Sequence, residues 1–423
     1  MSDELFDAIS IFYNSDGKLL LTTPVNDKLM KMINSYNGKF AILEKVQYEA
    51  LKNALEQLIV PYAIIDHREI TYIHRKLDDK HIFFFGSDSN ETLQARIKIR
   101  LNGYVEQWDL DTGEIRDIPS NIDDSGNIII DWEFYPYGSL LIVIDAERKH
   151  KSYKKIEENP SKIIKLPDTW QIECLNPNTL ILDHWDVKLT TKGDWLHYDY
   201  TTNFLINDLP DKLLLMLDDV ESRSSFMAGM VFQIFINDNE ISNEPVGYYI
   251  DNKWKTFDIS NTIKEGLNSI RIRFINQSWA GEPKVMTIPP KLLGNFSLET
   301  DVNIGYSISR PSAFMKSGKS WTEQGYPFYS GSMAYTQQLE LDEEFLSAKQ
   351  IWIYTDNVAD MVEFIINGKT ISVRPWYPYG CEIRQLLKPR NSITMKVTNS
   401  MKNFLEGEPK TSGLIEEVYL ELI

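Results

Sequence analysis

The residues with the most evident chemistry are aromatic side chains that stand beside polar ones on a loop. The segment from Arg374 to Gly380 is Arg-Pro-Trp-Tyr-Pro-Tyr-Gly. Aromatic rings offer an apolar face for the C–H groups of a sugar, while neighbouring polar groups bond its hydroxyls. Two prolines stiffen this loop, and its bulky groups are hard to bury together. We therefore predict a carbohydrate-binding loop formed by Arg374, Trp376, Tyr377 and Tyr379.

Two other clusters combine aromatic and polar residues. The first contains Tyr248, Tyr249 and Trp254, and the second contains Trp321 and Tyr326. We predict carbohydrate contacts for these residues as well. The alternative for every cluster is that its rings close the end of a sandwich or pack between domains. The glycines around the second cluster favour that alternative because they allow a tightly packed turn.

Carboxylates are the groups that hydrolyse glycosidic bonds, and a pair must face each other roughly 5 to 10 Å apart. The chain has 61 acidic residues, so Asp183 with Asp186, or Glu323, are easy to nominate. Sequence proximity supplies neither the opposed geometry nor the raised pKa that the acid needs. We interpret these carboxylates as solvated or turn residues, and we assign no catalytic residue.

Metal ligands are equally sparse in the sequence. All six histidines precede residue 200, so the rest of the chain offers no imidazole for a catalytic triad or a histidine metal site. His184 and His197 bracket an acidic segment, which leaves a metal site there as an alternative. The turns DLDTGE and NIDDSGN cluster oxygen atoms without completing a twelve-residue calcium loop. We predict no cofactor, leave structural calcium open, and assign no metal ligand.

Charge and cysteine content exclude several classes of protein. The chain has 44 basic and 61 acidic residues, a net charge of −17, which disfavours nucleic acid and anionic membranes as partners. Cys174 and Cys381 are too far apart for a CxxC motif and too few for a disulfide framework. Because the first residues lack the basic region of a secretory signal, we predict a cytoplasmic protein.

The elements that position these residues change character along the chain. Residues 1–60 alternate strand and helix patterns, including a helix in NDKLMKMINSYNG that we expect to end near Gly38. From residue 61 short alternating runs separated by turn residues predict an antiparallel β-sandwich over 61–150. The charged stretch 151–164 is the predicted linker.

The remainder contains an internal repeat. The strand pattern beginning at Phe232 recurs at Val362, and the one beginning at Leu267 recurs at Arg390, offsets of 130 and 123 residues. Such self-similarity predicts two copies of one β-sandwich, which we place at 165–288 and 289–423. The Asn367-Gly368 pair predicts a type I′ hairpin turn.

These motifs carry a resemblance to a known family. The two copies look like the galactose-binding-like jelly rolls of the sugar-binding type found in glycosyl hydrolase family 2. WDLDTGE at 108–114, LILDHW at 180–185, GYPFYSG at 325–331 and SGLIEEV at 412–418 follow in this order. Together they are similar to the C-terminal half of large bacterial α-L-rhamnosidase-like glycoside hydrolases, over residues 61–423. The fold class expected is mainly β: an antiparallel β-sandwich followed by two galactose-binding-like jelly rolls, with a small N-terminal α/β segment.

The resemblance implies a carbohydrate-related function but supplies no catalytic residues in this chain. Members carry their catalytic carboxylates in a preceding (β/α)₈ barrel of about 250 residues, and only 60 residues precede the first sandwich here. We therefore expect a non-catalytic, carbohydrate-associated accessory portion, with a carbohydrate ligand or a catalytic-barrel partner. An extracellular location is the alternative if residues precede this N-terminus. Two other functions stay open: an active glycoside hydrolase with carboxylates at a sandwich interface, and a protein-docking β-sandwich module.

Overall fold

The computed structural model describes residues 2–35, 39–152, 160–218, 231–277 and 288–423. Strands make up 49% of the chain and helices 12%, which confirms the predicted mainly β fold. The chain divides into two compact units, Met1–Glu157 and Glu158–Ile423, and each is described by itself. Within the described ranges no helix is long and apolar enough to cross a membrane.

The first unit begins with a small α/β segment. Its elements are α1 (Asp3–Asn14), β1 (Leu19–Thr22), α2 (Asp27–Ser35), β2 (Phe40–Leu43) and α3 (Tyr48–Leu58). Strands β1 and β2 pair in parallel. The apolar stripe of α2 is buried as its spacing predicts, whereas helix α1 was not predicted. The side chain of Ser2 caps α1 by accepting the Leu5 N–H. Gly38, the predicted end of α2, lies outside the described residues.

A β-sandwich follows in the same unit. Its strands are β3 (Ala63–Ile65), β4 (Ile70–Leu77), β5 (Lys80–Ser87), β6 (Leu93–Ile99), β7 (Tyr104–Trp108), β8 (Ile115–Asp117), β9 (Asn121–Ile122), β10 (Ile128–Phe134) and β11 (Ser139–Asp145). One sheet has the order β3-β6-β10-β9 and the other β4-β5-β11-β7-β8. All pairs are antiparallel, and residues that alternate along the strands, such as Phe83 and Phe85, fill the core between the sheets.

The second unit contains two more sandwiches. Its strands are β12 (Lys162–Lys165), β13 (Thr169–Cys174), β14 (Asn178–Ile181), β15 (Asp186–Lys192), β16 (Trp195–Ile206), β17 (Leu213–Asp218), β18 (Val231–Ile236), β19 (Asn239–Ile241), β20 (Gly247–Tyr249), β21 (Asp251–Asp258), β22 (Gly266–Gln277), β23 (Lys291–Gly294), β24 (Ser297–Asp301), β25 (Gly305–Ser309), β26 (Phe314–Lys316), β27 (Ser332–Glu340), β28 (Ile351–Thr355), β29 (Val358–Ala359), β30 (Met361–Ile366), β31 (Lys369–Arg374), β32 (Tyr379–Glu382), β33 (Arg390–Thr398), β34 (Gly413–Leu414) and β35 (Val418–Leu422). Short helices α4 (Glu343–Leu346) and α5 (Lys402–Glu406) and 3₁₀ turns at Trp321–Glu323 and Arg384–Leu386 connect some of them.

Strands β14 to β25 form what we call the inserted sandwich. Its sheets have the orders β14-β23-β17-β21-β20 and β19-β18-β22-β16-β25-β24, with β15 added to β16. The flanking sandwich consists of β12, β13 and β26 to β35, with main sheets β12-β35-β28-β32 and β26-β13-β27-β33-β30-β31. Each sandwich has its own apolar core.

The strand pairing corrects the predicted order of these two sandwiches. We placed them one after the other at 165–288 and 289–423, but β13 pairs with β26 and β27, whereas β23 pairs with β14 and β17. One sandwich is therefore inserted into the other. The repeat signal came from the central pairs β18 with β22 and β30 with β33, which are equivalent in the structure. The first strands carry no such signal, and β12 overlaps the last residues of the predicted linker, 151–164.

Candidate functional site

The candidate site is the outer face of the sheet β12-β35-β28-β32. In β28, Ile351 and Ile353 point into the core, so Trp352 and Tyr354 point outward. The same alternation in β35 turns Tyr419 outward. Tyr354 and Tyr419 are register partners, and their rings stack with centroids 5.5 Å apart and planes 22° apart. The sheet thus places aromatic rings side by side on one surface.

A glycine on the neighbouring strand makes room for one of these rings. Gly380 of β32 is the register partner of Tyr354. A Cβ atom on Gly380 would lie 2.9 Å from the Cβ atom of Tyr354 and 2.9 Å from the carbonyl oxygen of Ile353. Because real Cβ contacts are longer, any side chain here would displace the Tyr354 side chain or the strand.

The predicted loop joins β31 to β32 at the end of this sheet. Arg374 Nε donates to the Gly380 carbonyl at 3.2 Å, and the Tyr379 hydroxyl donates to the Asp360 carbonyl at 3.2 Å. Tyr377 packs edge-on against Tyr379, with centroids 6.0 Å apart. Trp376 stays 56% exposed. Arg374 and Tyr379 therefore brace the loop, and Trp376 is its solvent-facing ring.

Tyr377 of the loop lies close enough to Tyr354 of the sheet to raise its pKa. We therefore group the outward rings of the sheet with those of the loop as the aromatic face: Trp352, Tyr354, Trp376, Tyr377 and Tyr419. Burial raises the pKa of Tyr354, and the Glu421 and Asp356 carboxylates and Tyr377 raise it further. The Tyr419 hydroxyl donates to Glu417 Oε2 at 2.8 Å, and this bond raises the pKa of Tyr419. At neutral pH the face therefore presents protonated hydroxyls next to carboxylate acceptors.

The other predicted aromatic clusters occupy different places. Trp321 is 0% exposed and Tyr326 1%, and both lie in the core of the flanking sandwich. Enclosed rings cannot stack on a surface sugar, so the prediction for these two residues is wrong. Their glycine-rich turn is tightly packed, in line with the alternative that these rings serve packing and not sugar binding.

Tyr249 and Trp254 lie where the two sandwiches meet. Each ring centroid is 5.5 Å from that of Phe404, which belongs to α5 of the flanking sandwich. Met216 and Leu293 complete this contact. Tyr248 is exposed but adjoins neither the loop nor the sheet of the aromatic face in the sheet order. Interface packing thus accounts for Tyr249 and Trp254.

Several carboxylates of the acidic turns and of the 183–186 segment have structural partners. Asp109 and Asp123 accept backbone N–H groups of their own turns, and Lys98 and Asn127 lower the pKa of Asp123. Asp183 bonds His184 Nδ1 at 2.6 Å. In the ranges that the structure describes, no group of three or more His, Cys, Asp or Glu residues is arranged to hold a metal ion.

Comparisons with known proteins give structural neighbours only. No family model and no curated protein matches the chain. A rhamnosidase from Novosphingobium sp. PP1Y has a TM-score of 0.49 at 11% identity, covering 100% of this chain and 32% of its own. An α-L-rhamnosidase from Streptomyces avermitilis has 0.28 at 9%, covering 84% and 39%. A glycosyl hydrolase family 2 member from Bacteroides cellulosilyticus has 0.17 at 11%, covering 48% and 22%. The chain thus spans about a third of the length of the Novosphingobium enzyme.

Three residues of the aromatic face were missed at the sequence level: Trp352, Tyr354 and Tyr419. Their signal was present, since IWIYT and VYLEL alternate aliphatic residues with aromatic or charged ones. That pattern predicts outward-facing aromatics on strands. What the sequence could not show is that the two strands are neighbours.

Proposed function

We propose that this chain is a carbohydrate-binding, non-catalytic accessory portion of an α-L-rhamnosidase-like glycoside hydrolase. The observation that carries the proposal is the stacked pair Tyr354 and Tyr419 on the sheet, together with a neighbouring loop on which Trp376 is exposed. Flat aromatic surfaces of this kind suit the C–H face of a pyranose ring. The braced loop fixes the rings before the ligand arrives, which lowers the entropic cost of binding.

Polar groups around the rings would supply selectivity. The pKa of Tyr354 is raised by the nearby carboxylates of Glu421 and Asp356, and that of Tyr419 by Glu417. Lys165 forms a salt bridge with Glu417. Carboxylates accept hydrogen bonds from sugar hydroxyls, while tyrosine hydroxyls and the ammonium group can donate them. A neutral deoxysugar such as rhamnose offers both an apolar face and hydroxyls.

Binding alone is assigned to this face because of its shape. Hydrolysis needs two carboxylates on opposite sides of the glycosidic bond. Carboxylates on a sheet surface approach a ligand from one side only. We therefore place the chemistry outside this surface.

The short parallel sheet of β1 and β2 supports the proposal of a partner built from further strand–helix units. Parallel strands are normally covered on both faces and joined to further parallel strands, yet β1 and β2 pair only with each other among the described residues. Phe40 and Ile42 of β2 remain partly exposed. Further parallel strands, as in a catalytic barrel, would complete this pair, and we propose such a barrel as the partner.

Titration calorimetry with rhamnose-containing oligosaccharides tests the proposal. Trp376→Ala should weaken binding at least about tenfold, roughly 1.4 kcal/mol, whereas Trp195→Ala, a partly exposed tryptophan of the inserted sandwich, should leave it unchanged. Equal affinities in both variants would remove the aromatic face from the function. Turnover of aryl-rhamnosides by the isolated chain would contradict the non-catalytic role.

A further inference from the structure

A cleft of about 900 Å³ lies between the inserted and flanking sandwiches. The inserted sandwich contributes residues 180–186, 201–204 and 303–306, and the flanking sandwich contributes Phe328 and residues 405–407. This volume lies within the range of small-ligand sites, roughly 300 to 1,000 Å³. None of the residues of the aromatic face lines it.

The walls of the cleft are aromatic and fixed in place. Trp185 Nε1 donates to the Leu182 carbonyl at 2.7 Å, which sets the plane of its ring. Tyr306 packs edge-on against Phe328, with centroids 5.3 Å apart. The contact between Tyr306 and Phe328 joins the two sandwiches directly. Both Trp185 and Tyr306 remain partly exposed, so each can offer ring surface to a ligand.

The cleft is held open by the packing of α5. Phe404 is buried, and its N–H donates to Ser330 Oγ at 3.1 Å. Gly407 ends the helix with φ +69°, and a Cβ atom there would lie 3.3 Å from Ile181 Cδ1. Glycine at this point therefore lets the flanking sandwich approach the inserted one without filling the space beside it.

Several polar side chains at the cleft have no protein partner. Asp186, Asn203 and Asn303 are exposed, and their side chains make no hydrogen bond or ion pair within the described part of the chain. Carboxylate and amide groups bond pairs of neighbouring hydroxyls well. Free groups of this kind beside aromatic walls match a polyhydroxylated ligand.

The charge of the lining excludes acidic ligands. Asp183, Asp186 and Glu406 line the cleft, and Glu406 forms a salt bridge with Lys402 at 3.3 Å. Of the basic groups, His184 is bonded to Asp183, and Lys291 is buried with its Nζ atom donating to the Pro289 carbonyl at 3.1 Å. Neither is positioned to neutralise a ligand carboxylate, and the unpaired Asp186 carboxylate would repel one.

We infer that this cleft is a second saccharide-binding site, which takes neutral or amino-sugar oligosaccharides and rejects uronic acids. The inference rests on the proposed carbohydrate function but uses a different surface. Two sites in one unit would let the chain hold a polysaccharide at two points, which raises its avidity when the spacing fits.

The test measures binding of three probes: cellotriose, a glucosamine trisaccharide and trigalacturonic acid. Wild-type protein should bind at least one of the first two with at least tenfold higher affinity than the trigalacturonate. The double variant Asp186→Asn/Asn203→Ala should lose at least tenfold of that affinity. Trp195→Ala should change it by less than twofold, because its ring lies outside both the cleft and the aromatic face. Circular dichroism melting curves control for folding.

The other outcomes of this experiment decide between the cleft site and the aromatic face. Equal or tighter binding of the trigalacturonate, or no effect of the double variant, overturns the cleft site. Loss of all saccharide binding in Trp376→Ala also overturns the cleft site and leaves the aromatic face as the binding surface. Loss only in the double variant is the result expected for the cleft site, and it leaves the aromatic face to the rhamnose experiment. Failure of all three probes to bind wild-type protein overturns the cleft site as stated, while the rhamnose experiment judges the aromatic face separately.

Discussion

The side-chain amide of Asn367 donates to Asn391 Oδ1 at 3.0 Å, and this bond ties a hairpin turn to a neighbouring strand start. The inserted sandwich repeats it, with Asn237 donating to Asn268 Oδ1 at 2.8 Å. Asn237 and Asn367 both have positive φ, 50° and 52°, as hairpin turns of this kind require. The repeat in the sequence therefore preserves this hydrogen bond between two asparagines, which we call the polar lock, as well as a strand pattern.

Asn391→Ala should destabilise the flanking sandwich by about 3 kcal/mol in denaturant unfolding. Asn391 is buried, accepts from the Lys388 N–H and from Asn367, and donates to the Lys388 carbonyl. Alanine would leave these groups unpaired. Exposed Asn357→Ala should stay within about 0.5 kcal/mol. A similar small change in both variants would show that the lock contributes little.

The sequence predicted the fold class and the two copies because strand alternation and the Asn-Gly turn are local signals. It did not predict the insertion of one sandwich into the other. The pairing of β13 with β26 and β27 joins segments about 140 to 170 residues apart. No local pattern encodes such a pairing.

The candidate site was predicted in part for a related reason. Prolines and bulky rings on one loop marked Trp376 as exposed, and the structure agrees. Trp321 and Tyr326 carry the same residue types but are enclosed. Burial of an aromatic loop depends on neighbours distant in sequence, so residue type alone could not separate the two clusters.

Gly380→Ala should disturb the aromatic face from beneath. The new Cβ atom would meet the Tyr354 side chain and the Ile353 carbonyl, so we expect a loss of about 1–3 kcal/mol in stability. Saccharide affinity should fall because Tyr354 is displaced from Tyr419. Gly247→Ala is the matched control, since its Cβ would lie an ordinary 3.6 Å from Thr256 Oγ1. Unchanged binding in Gly380→Ala would separate Tyr354 from the ligand site.

The first unit should lose stability as the pH falls below about 6.5. His74 Nε2 lies 2.9 Å from His81 Nδ1, and burial lowers the pKa of both, helped by His81 for His74 and by Lys76 for His81. Below the unfolded pKa the unfolded chain binds more protons, so acid favours unfolding. His81→Gln should flatten this dependence in thermal melts between pH 5 and 7.5, by about 3 °C.

Exposed His184→Gln is the control for that experiment, because His184 belongs to the second unit and its side chain bonds only Asp183 among the residues that the structure describes. It should retain the wild-type dependence on pH. Tyr62 packs on both rings of the pair. An identical pH profile in wild-type protein and His81→Gln would show that the histidine pair does not control the acid sensitivity.

Lys291 should make the second unit more stable as the pH rises above about 8. Burial lowers the pKa of Lys291 from 10.5 to about 8, although the Asp218 carboxylate opposes the shift. Between these two values the unfolded chain holds a proton that the folded chain has released, so unfolding becomes less favourable as the pH increases. Below pH 8 the Lys291 side chain is charged in both the folded and the unfolded state, and the folded state bears the cost of a buried ammonium group.

Lys291→Met should therefore stabilise the unit at pH 7, by on the order of 3 kcal/mol, and remove the rise in stability between pH 8 and 10. Denaturant unfolding at pH 7, 8, 9 and 10 measures both effects, and Lys188→Met, on an exposed strand, is the matched control. A loss of stability in Lys291→Met at pH 7 would mean that the contact of its ammonium group with the Phe404 ring, 4.8 Å from the centroid, outweighs the cost of burial.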